Sequence, residues 1–211
     1  MTKRKNILYG IAINDFDKVT DSTTRKQIPE YVLWTGMLKR VYCKKYQSKT
    51  PTYIGSSICD DWHTLSKFVR DISKLRNYDD AISNKGWVLD KDILSKGNKH
   101  YSLNTCAFVP VEINSFFGNA VKYKNGNGEL PVGVYFDRNP RKNPYYTMIS
   151  FTENGKRKRE YLGCYKTPEE AFNVYKVRKE TICKQLAEKY KDVIDDRVYK
   201  AMINYKVEIT D

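Results

Sequence analysis

The stretch that decides the fold runs from Leu130 to Tyr175 and reads LPVGVYFDRNPRKNPYYTMISFTENGKRKREYLGCYKTPEEAFNVY. Apolar residues alternate from 132 to 136, which predicts a short first strand. The β-branched and aromatic run 145–152 predicts a second strand, and residues 159–165 predict a third. An Asn-Gly pair tolerates positive φ and supplies the turn between the last two strands. This segment therefore predicts a three-stranded antiparallel sheet.

A helix is predicted directly after the third strand. Thr167-Pro168-Glu169-Glu170 places a capping residue, a proline at the first helical position and acidic residues in the first turn. Ala171, Val174, Tyr175 and Ile182 then follow at roughly helical spacing. Such a helix covers one face of the sheet and leaves the other face to Tyr, Arg and Lys side chains. The predicted fold class is α+β.

The charge of the chain favours an anionic partner. Its 211 residues carry a formal net charge of +13. Between Pro131 and Lys166 there are eight basic and three acidic residues. A basic excess attracts polyanions, of which nucleic acid is the commonest. Two other interpretations stay open, a protein that is merely basic and a solvated basic hairpin.

The five cysteines do not indicate a metal or disulfide framework. No two of them stand at the two-residue spacing of a zinc knuckle or redox motif, so no zinc is expected. Residues 7–13 are too short and interrupted for a secretory signal, and no window approaches a membrane span. The sequence predicts an intracellular chain with reduced thiols and no membrane partner.

The rest of the chain predicts further short elements. Pro29 opens an amphipathic helix, and Asp60 and Asp61 can cap another. A Gly- and Asn-rich segment at 118–128 is typical of a linker. The other predicted elements are a strand within 7–13, a loop at 76–86, a strand at 87–94, a partly buried strand within 101–110 that follows a turn at Ser102 and Asn104, a helix at 111–117 and a helix at 195–205.

The organising stretch resembles a known DNA-binding family. Its landmarks are Gly133-Val134, an aromatic in the second strand, Leu162-Gly163-Cys164-Tyr165 and Thr167-Pro168-Glu169-Glu170-Ala171. In order and spacing these are similar to the plant APETALA-two/ethylene-response-factor (ERF) domain, a type also found in phage and bacterial homing endonucleases. The family usually has Trp in the second strand, where this chain has Tyr. The resemblance implies a sheet that docks in the major groove of double-stranded DNA.

The basic and aromatic side chains of this stretch are the candidate DNA contacts. Lys and Arg at strand ends suit phosphates, Arg within a strand can bind guanine with two hydrogen bonds, and Tyr offers a flat face with a hydroxyl. The candidates are Tyr135, Arg138, Arg141, Lys142, Tyr145, Tyr146, Lys156, Arg157, Lys158, Arg159 and Tyr161.

Residues 30–117 resemble a second family, the phage HNH-type (ββα-metal) homing endonucleases. The resemblance is carried by Trp34-x-x-Met37-Leu38, Cys59-Asp60-Asp61-Trp62, Leu89-Asp90-Lys91-Asp92 and the run from Tyr101 to Val109. It implies a phage or mobile-element source and metal-dependent nicking or cleavage of double-stranded DNA. Such an enzyme needs a His base and one divalent metal ion. In this chain the first-strand His position falls on or near Lys91.

Four residues are the candidate catalytic set. Asp90 and Asp92 stand two apart, so on a strand they share one face and could hold Mg²⁺ or Mn²⁺. They could equally pair with Lys91 or cap the Gly97 turn. His100 is the candidate base, although a loop His is more often exposed, and Asn114 falls near the helix position of the motif. His63 is expected to be structural.

The predicted organisation has four parts. They are an HNH-like domain at 1–117, a linker at 118–129, an ERF-like domain at 130–191 and a helical extension at 192–211. The enzyme hypothesis makes the chain an HNH-type endonuclease. The alternative hypothesis is a catalytically decayed protein that binds DNA through the sheet, as a regulator for example. A third class is an interaction protein that does not bind DNA.

Overall fold

In a computed structural model the protein is described at residues 6–83, 85–118, 124–125, 128–139, 142–153 and 155–209. It mixes helices with small sheets, which confirms the α+β class. The chain divides into two compact units, one ending at Val109 and the other beginning at Pro110. The helix predicted at 111–117 therefore groups with the C-terminal unit, whereas the sequence assigned it to the N-terminal domain.

The N-terminal unit is built of short elements around a core of aromatic and aliphatic side chains. Two single 3-10 turns, Pro51–Tyr53 and Asp60–His63, join them. The strands form three two-stranded sheets, β1 with β2, β3 with β5 and β4 with β6. The elements are β1 (Asn6–Leu8), β2 (Ala12–Asn14), α1 (Pro29–Tyr42), α2 (Lys44–Lys49), β3 (Ser57–Ile58), α3 (Leu65–Ile72), α4 (Tyr78–Ile82), β4 (Trp87–Asp90), β5 (His100–Tyr101) and β6 (Ala107–Pro110).

A chain of indole hydrogen bonds ties this core together. Trp34 and Trp62 are both fully buried. Trp34 Nε1 donates to the carbonyl oxygen of Trp62 at 2.7 Å, and Trp62 Nε1 donates to Asp71 Oδ2 at 3.2 Å. Buried polar groups need partners of this kind, so these bonds fix α1 and α3 against the 3-10 turn that carries Trp62.

Several predicted elements of this unit differ from the structure. Asp60 and Asp61 lie within a 3-10 turn and do not cap α3, which begins after Thr64. The strand within 7–13 is a hairpin, because Tyr9 and Gly10 both have positive φ and turn the chain back. The loop predicted at 76–86 contains α4. The strand predicted at 87–94 ends at Asp90, where the chain bends away.

The C-terminal unit contains the predicted sheet and its helix. The sheet order is β11-β10-β9, and both pairings are antiparallel. Its elements are α5 (Val111–Gly118), β7 (Lys124–Asn125), β8 (Gly128–Glu129), β9 (Val134–Phe136), β10 (Tyr145–Glu153), β11 (Lys156–Tyr165), α6 (Pro168–Tyr190) and α7 (Asp196–Ile203).

Helix α6 begins as the sequence predicts. Thr167 Oγ1 accepts a hydrogen bond from the backbone N–H of Glu170, and the Glu170 carboxylate accepts from the backbone N–H of Thr167. This reciprocal capping box satisfies donors that a helix start leaves without partners. The helix packs on β10 and β11 through a buried stripe that includes Ala171, Tyr175 and Ile182.

Close contact between the helix and the start of β9 explains the Gly-Val landmark. Gly133 has φ of +76°, and a Cβ built there would lie 2.3 Å from the Tyr175 ring. The carbonyl oxygen of Gly133 accepts a hydrogen bond from the buried Thr147 Oγ1 at 2.7 Å. Both the backbone conformation and the approach of the ring therefore require glycine.

Polar contacts hold the other helices of this unit on α6. The Glu112 carboxylate in α5 accepts from Lys189 Nζ at 2.8 Å and from the Tyr190 hydroxyl at 2.7 Å. Cys183 Sγ donates to the carbonyl oxygen of Met202 in α7. In the described part of the chain no helix is both long and apolar enough to cross a membrane.

Candidate nucleic-acid interface

The face of the sheet away from α6 gathers aromatic and basic side chains. Ile149 is buried toward the helix, so its alternate neighbours Ser150 and Met148 lie on the opposite face. Cross-strand pairing places partners of these residues on that same face. We call it the tyrosine–arginine face, and it is defined by Tyr135, Tyr146, Arg157, Arg159 and Tyr161.

Three tyrosine rings form a row across the tyrosine–arginine face. The rings of Tyr135 and Tyr146 are stacked, with centroids 5.1 Å apart and planes 15° from parallel. Tyr161 continues the row, with its centroid 6.4 Å from that of Tyr146. Tyr161 is 60% exposed, which is high for so large a ring. Flat aromatic faces with hydroxyls at their edges suit stacking and polar contact with a nucleic acid.

A β-bulge sets the position of Tyr161. Thr147 pairs with Gly163 and Met148 pairs with Tyr161, so Leu162 is the extra residue on β11. Gly163 has φ of +118°, and the Tyr165 ring packs within 3.3 Å of the position that its Cβ would take. The Tyr165 hydroxyl donates to the carbonyl oxygen of Leu162 at 2.7 Å. The Leu-Gly-x-Tyr landmark is thus the local structure that places Tyr161 beside Tyr146.

Two guanidinium groups stand on the tyrosine–arginine face, and no carboxylate among the described residues pairs with either of them. Arg157 lies across from Thr152 and Arg159 across from Ser150, and both arginines are exposed. Among the described residues neither makes an ion pair, whereas Arg178 below the sheet pairs with Glu160 at 2.7 Å. A guanidinium that is not neutralised locally attracts phosphate or the guanine edge.

Several other predicted DNA contacts do not lie on the tyrosine–arginine face, because side chains alternate along the strands. Lys156 and Lys158 lie on the reverse side of β11, and Lys158 pairs with Glu153. Tyr145 also alternates to the reverse side, where its ring centroid lies 5.3 Å from that of Phe136. Arg138 and Lys142 are exposed in the segment between β9 and β10. Arg141 lies outside the described residues.

The carboxylate of Asp90 is engaged by the backbone at the end of β4. Its Oδ1 accepts from the N–H groups of Asp92 and Ile93 at 2.8 Å and 2.7 Å. Burial raises the pKa of Asp90, and these two donors oppose the rise. Because the strand ends here, alternation does not bring Asp92 to the same face.

Asp92 pairs with Lys91, which is one of the alternatives that the sequence left open. Lys91 is 4% exposed, its Nζ lies 2.5 Å from Asp92 Oδ1, and this ammonium group also donates to the carbonyl oxygen of Asn98 at 2.8 Å. The amide of Asn98 donates to the carbonyl oxygens of Lys91 and His100. This network is dense enough to order the turn between β4 and β5.

The two histidines have defined partners. His100 Nδ1 lies 2.9 Å from Ser57 Oγ, and β5 pairs with β3 at these residues. His63 Nε2 lies 2.6 Å from the Tyr42 hydroxyl, in keeping with a structural role. Asn114 belongs to α5 of the C-terminal unit, whereas Asp90, Asp92 and His100 belong to the N-terminal unit.

Divalent-metal binding at Asp90 and Asp92 stays a prediction. Within the described residues no group of three or more His, Cys, Asp or Glu side chains is placed to hold a metal ion. A metal at Asp92 would have to displace the ammonium group of Lys91, and one at Asp90 would compete with two backbone donors.

One buried basic residue of this region is not singled out by the sequence analysis. Lys179 of α6 is 4% exposed, and its Nζ lies 5.5 Å from the Phe116 ring centroid and 5.7 Å from that of Tyr175. It follows Tyr175 by four residues, which places it in the buried stripe. That spacing was a usable signal, but a lysine in an apolar stripe is normally assigned to the solvent side.

Comparisons of the chain with protein-family models, with curated proteins and with solved structures found no match.

Proposed function

We propose that the protein binds double-stranded DNA through the tyrosine–arginine face. The observation that carries this proposal is the stacked pair Tyr135–Tyr146 beside two exposed arginines that no described carboxylate neutralises. Arg supplies bidentate donors for phosphate or guanine, and the tyrosines supply a surface that excludes water from those contacts. The net charge of +13 adds long-range attraction.

The ERF-type resemblance supports the same proposal. The landmarks that carry it have structural reasons: Gly133 meets Tyr175, Gly163 follows the β-bulge and Thr167 caps α6. A three-stranded sheet of this kind is a suitable shape for a DNA major groove, which admits a small β-ribbon or sheet edge.

Substitutions on the two sides of β11 test the proposal. Arg159→Ala and Tyr146→Ala should each weaken binding of duplex DNA by roughly 1–3 kcal/mol if the residue contacts a base. Lys156→Ala removes a charge from the reverse side of the same strand and is the matched control. Fluorescence anisotropy with labelled duplexes gives the affinities. Equal losses of DNA affinity for Arg159→Ala and Lys156→Ala would contradict the proposal, because they would indicate only a solvated basic hairpin.

Salt dependence separates DNA binding from the third class of function. Phosphate contacts release counterions, so affinity should fall steeply between about 50 and 200 mM salt. An interaction protein that does not bind DNA would show no salt-sensitive association with a duplex.

A second candidate function is metal-dependent nicking of DNA by the N-terminal unit. The observation that favours it is the hydrogen bond between the His100 imidazole and Ser57, which orients the ring. His100 begins β5, at the end of the β4–β5 connection that starts at Asp90 and contains Asp92. Supercoiled plasmid incubated with Mg²⁺ or Mn²⁺ tests it. Nicking that His100→Ala abolishes and His63→Ala retains would support an HNH-type endonuclease. If nicking is absent at every protein excess while DNA binding persists, the protein is a non-enzymatic DNA-binding or regulatory protein.

A further inference from the structure

A second cluster of basic and aromatic side chains lies in the N-terminal unit, where α1 is followed by α2. Between positions 31 and 59 the chain has five basic residues and no Asp or Glu. All five are exposed or half-buried, and no carboxylate in the described part of the chain forms an ion pair with any of them. These residues are Lys39, Arg40, Lys44, Lys45 and Lys49.

Two tyrosine rings support two of these cations. Lys39 Nζ lies 5.1 Å from the centroid of the Tyr46 ring, and the Arg40 guanidinium lies 5.8 Å from that of Tyr53. The two rings are themselves 5.9 Å apart. A cation is attracted to the face of an aromatic ring, so the tyrosines hold an ammonium and a guanidinium group in neighbouring positions.

Hydrogen bonds fix the backbone that carries these side chains. Gln47 Nε2 donates to the carbonyl oxygens of Arg40 and Val41 at 3.0 Å and 2.8 Å, which ties α2 to the end of α1. Thr50 Oγ1 donates to the carbonyl oxygen of Tyr46 at 2.7 Å and closes the last turn of α2. Cations on a fixed frame lose less conformational freedom when an anion binds.

The lysines of α2 are not explained by the stability of that helix. Lys44 and Lys45 stand in its first turn, which has no acidic residue and where the helix dipole disfavours positive charge. Lys45 and Lys49 are four residues apart and share one face, where like charges repel. Both effects oppose the helix, and an anionic partner would reverse them.

We propose that the N-terminal unit binds the phosphate backbone of double-stranded DNA through this surface. We call it the lysine–tyrosine patch, and its members are Lys39, Arg40, Lys45, Tyr46, Lys49 and Tyr53. Its cations suit phosphates along a DNA strand. Its ring faces are occupied by cations, so they are less suited to base stacking or to insertion into a lipid surface. The proposal goes beyond the tyrosine–arginine face, which belongs to the other unit, and does not depend on it.

Paired substitutions separate the patch from the general charge of the unit. The double variant Lys39→Gln/Lys49→Gln removes two charges from the patch and keeps both tyrosines. Lys67→Gln/Lys85→Gln removes two charges from exposed lysines of the same unit and is the matched control. The control lysines pair with aspartates at 2.6 Å and 3.0 Å, so their charges are already balanced locally. Circular dichroism verifies that both variants are folded.

The slope of log affinity against log salt concentration is the deciding measurement, made with two duplexes of unrelated sequence. Each phosphate contact contributes about 0.9 to that slope, so the patch variant should lower its magnitude by about 1.8 relative to the control. The reduction should be the same for both duplexes, because phosphate contacts do not read sequence. Equal slopes for the patch and control variants would overturn the patch.

The result for the patch is independent of the result for the tyrosine–arginine face. A reduced slope in the patch variant, together with an unchanged affinity in Arg159→Ala, would support the patch and contradict the proposed DNA surface on the sheet. Equal slopes for the patch and control variants, together with a loss in Arg159→Ala, would have the opposite meaning.

Vesicles that contain phosphatidylserine test the other large anionic partner that a basic surface attracts. If the wild type binds these vesicles but no duplex, and the patch variant loses vesicle binding, the partner is a membrane surface and the DNA assignment is overturned. If the wild type binds neither, the patch is only a solvated surface and the proposal fails.

Discussion

Gly133 and Tyr175 are in contact so close that no other residue fits at position 133. A Cβ there would lie 2.3 Å from the ring, and φ is already +76°. Gly133→Ala should destabilise the C-terminal unit by about 1–2 kcal/mol through the left-handed backbone and by a further ~1–3 kcal/mol through displacement of the ring. Urea unfolding followed by circular dichroism measures the loss.

Gly155→Ala is the control for this prediction. Gly155 has φ of +73°, but nothing lies within 4 Å of the position of its Cβ. Gly155→Ala should therefore lose only the stability that the left-handed backbone costs, about 1–2 kcal/mol. If both variants lose the same stability, the Tyr175 ring moves aside freely and the contact does not explain the glycine.

Loss of the Thr167 hydroxyl should weaken the start of α6. Thr167→Ala removes the acceptor of the Glu170 N–H and should lower the free energy of unfolding by about 1 kcal/mol. Thr181→Ala is the comparison, since Thr181 is exposed in the middle of the same helix and bonds to the carbonyl oxygen of Val177. A loss at Thr181 as large as that at Thr167 would rule out a specific effect of the cap.

Asp71 should make the N-terminal unit more stable at neutral pH than in acid. The hydrogen bond from Arg70, followed by those from Lys74 and Trp62, lowers the pKa of Asp71. A lowered carboxyl pKa contributes stability that is present above about pH 3.9, the ordinary value, and is lost as the pH falls through the folded-state pKa. Asp71→Asn should therefore be less stable at pH 7, with a difference that shrinks in acid.

Asp90 should have the opposite effect on the pH dependence of stability. Burial raises its pKa, so the folded state binds the proton more tightly and the stability contribution declines as the pH rises above about 3.9. Asp90→Asn keeps an oxygen for the two backbone donors and should be more stable than the wild type at pH 7. The difference should vanish in acid, and a difference that is constant with pH would contradict this assignment.

Tryptophan fluorescence makes these two measurements specific to one unit. Trp34, Trp62 and Trp87 are the three tryptophans of the chain, and all lie in the N-terminal unit. Substitutions at Asp71 and Asp90 should shift the fluorescence transition.

Local chemistry explains which parts of the fold the sequence predicts well. The Thr-Pro-Glu-Glu start of α6 and the alternation along β9, β10 and β11 are short-range signals, and the structure has the helix and strands there. The strand predicted at 87–94 ends early because the N–H groups of Asp92 and Ile93 donate to the Asp90 side chain. In a continuing strand these groups would be available to a neighbouring strand. Helix α4 is five residues long and carries too little periodicity to be recognised.

The candidate sites depend on tertiary contacts that a sequence does not display. Alternation predicts that Tyr146 and Arg159 share a face only once the register and the bulge at Leu162 are known. The burial of Lys179 depends on Phe116, 63 residues earlier in the chain. The buried position of Lys91 likewise depends on Asn98 and on the Tyr101 ring, 5.6 Å from its Nζ.

The membership of α5 in the C-terminal unit has a consequence for the exchange of modules between genes. Recombination within the Gly- and Asn-rich segment would transfer the sheet and α6 without α5. The transplanted module would then lack Phe116, whose ring covers the Lys179 ammonium, and Glu112, which binds Lys189 and Tyr190. A crossover that preserves the module has to fall before Val111. The Gly- and Asn-rich segment, although its composition is typical of a linker, is therefore an unfavourable site for recombination.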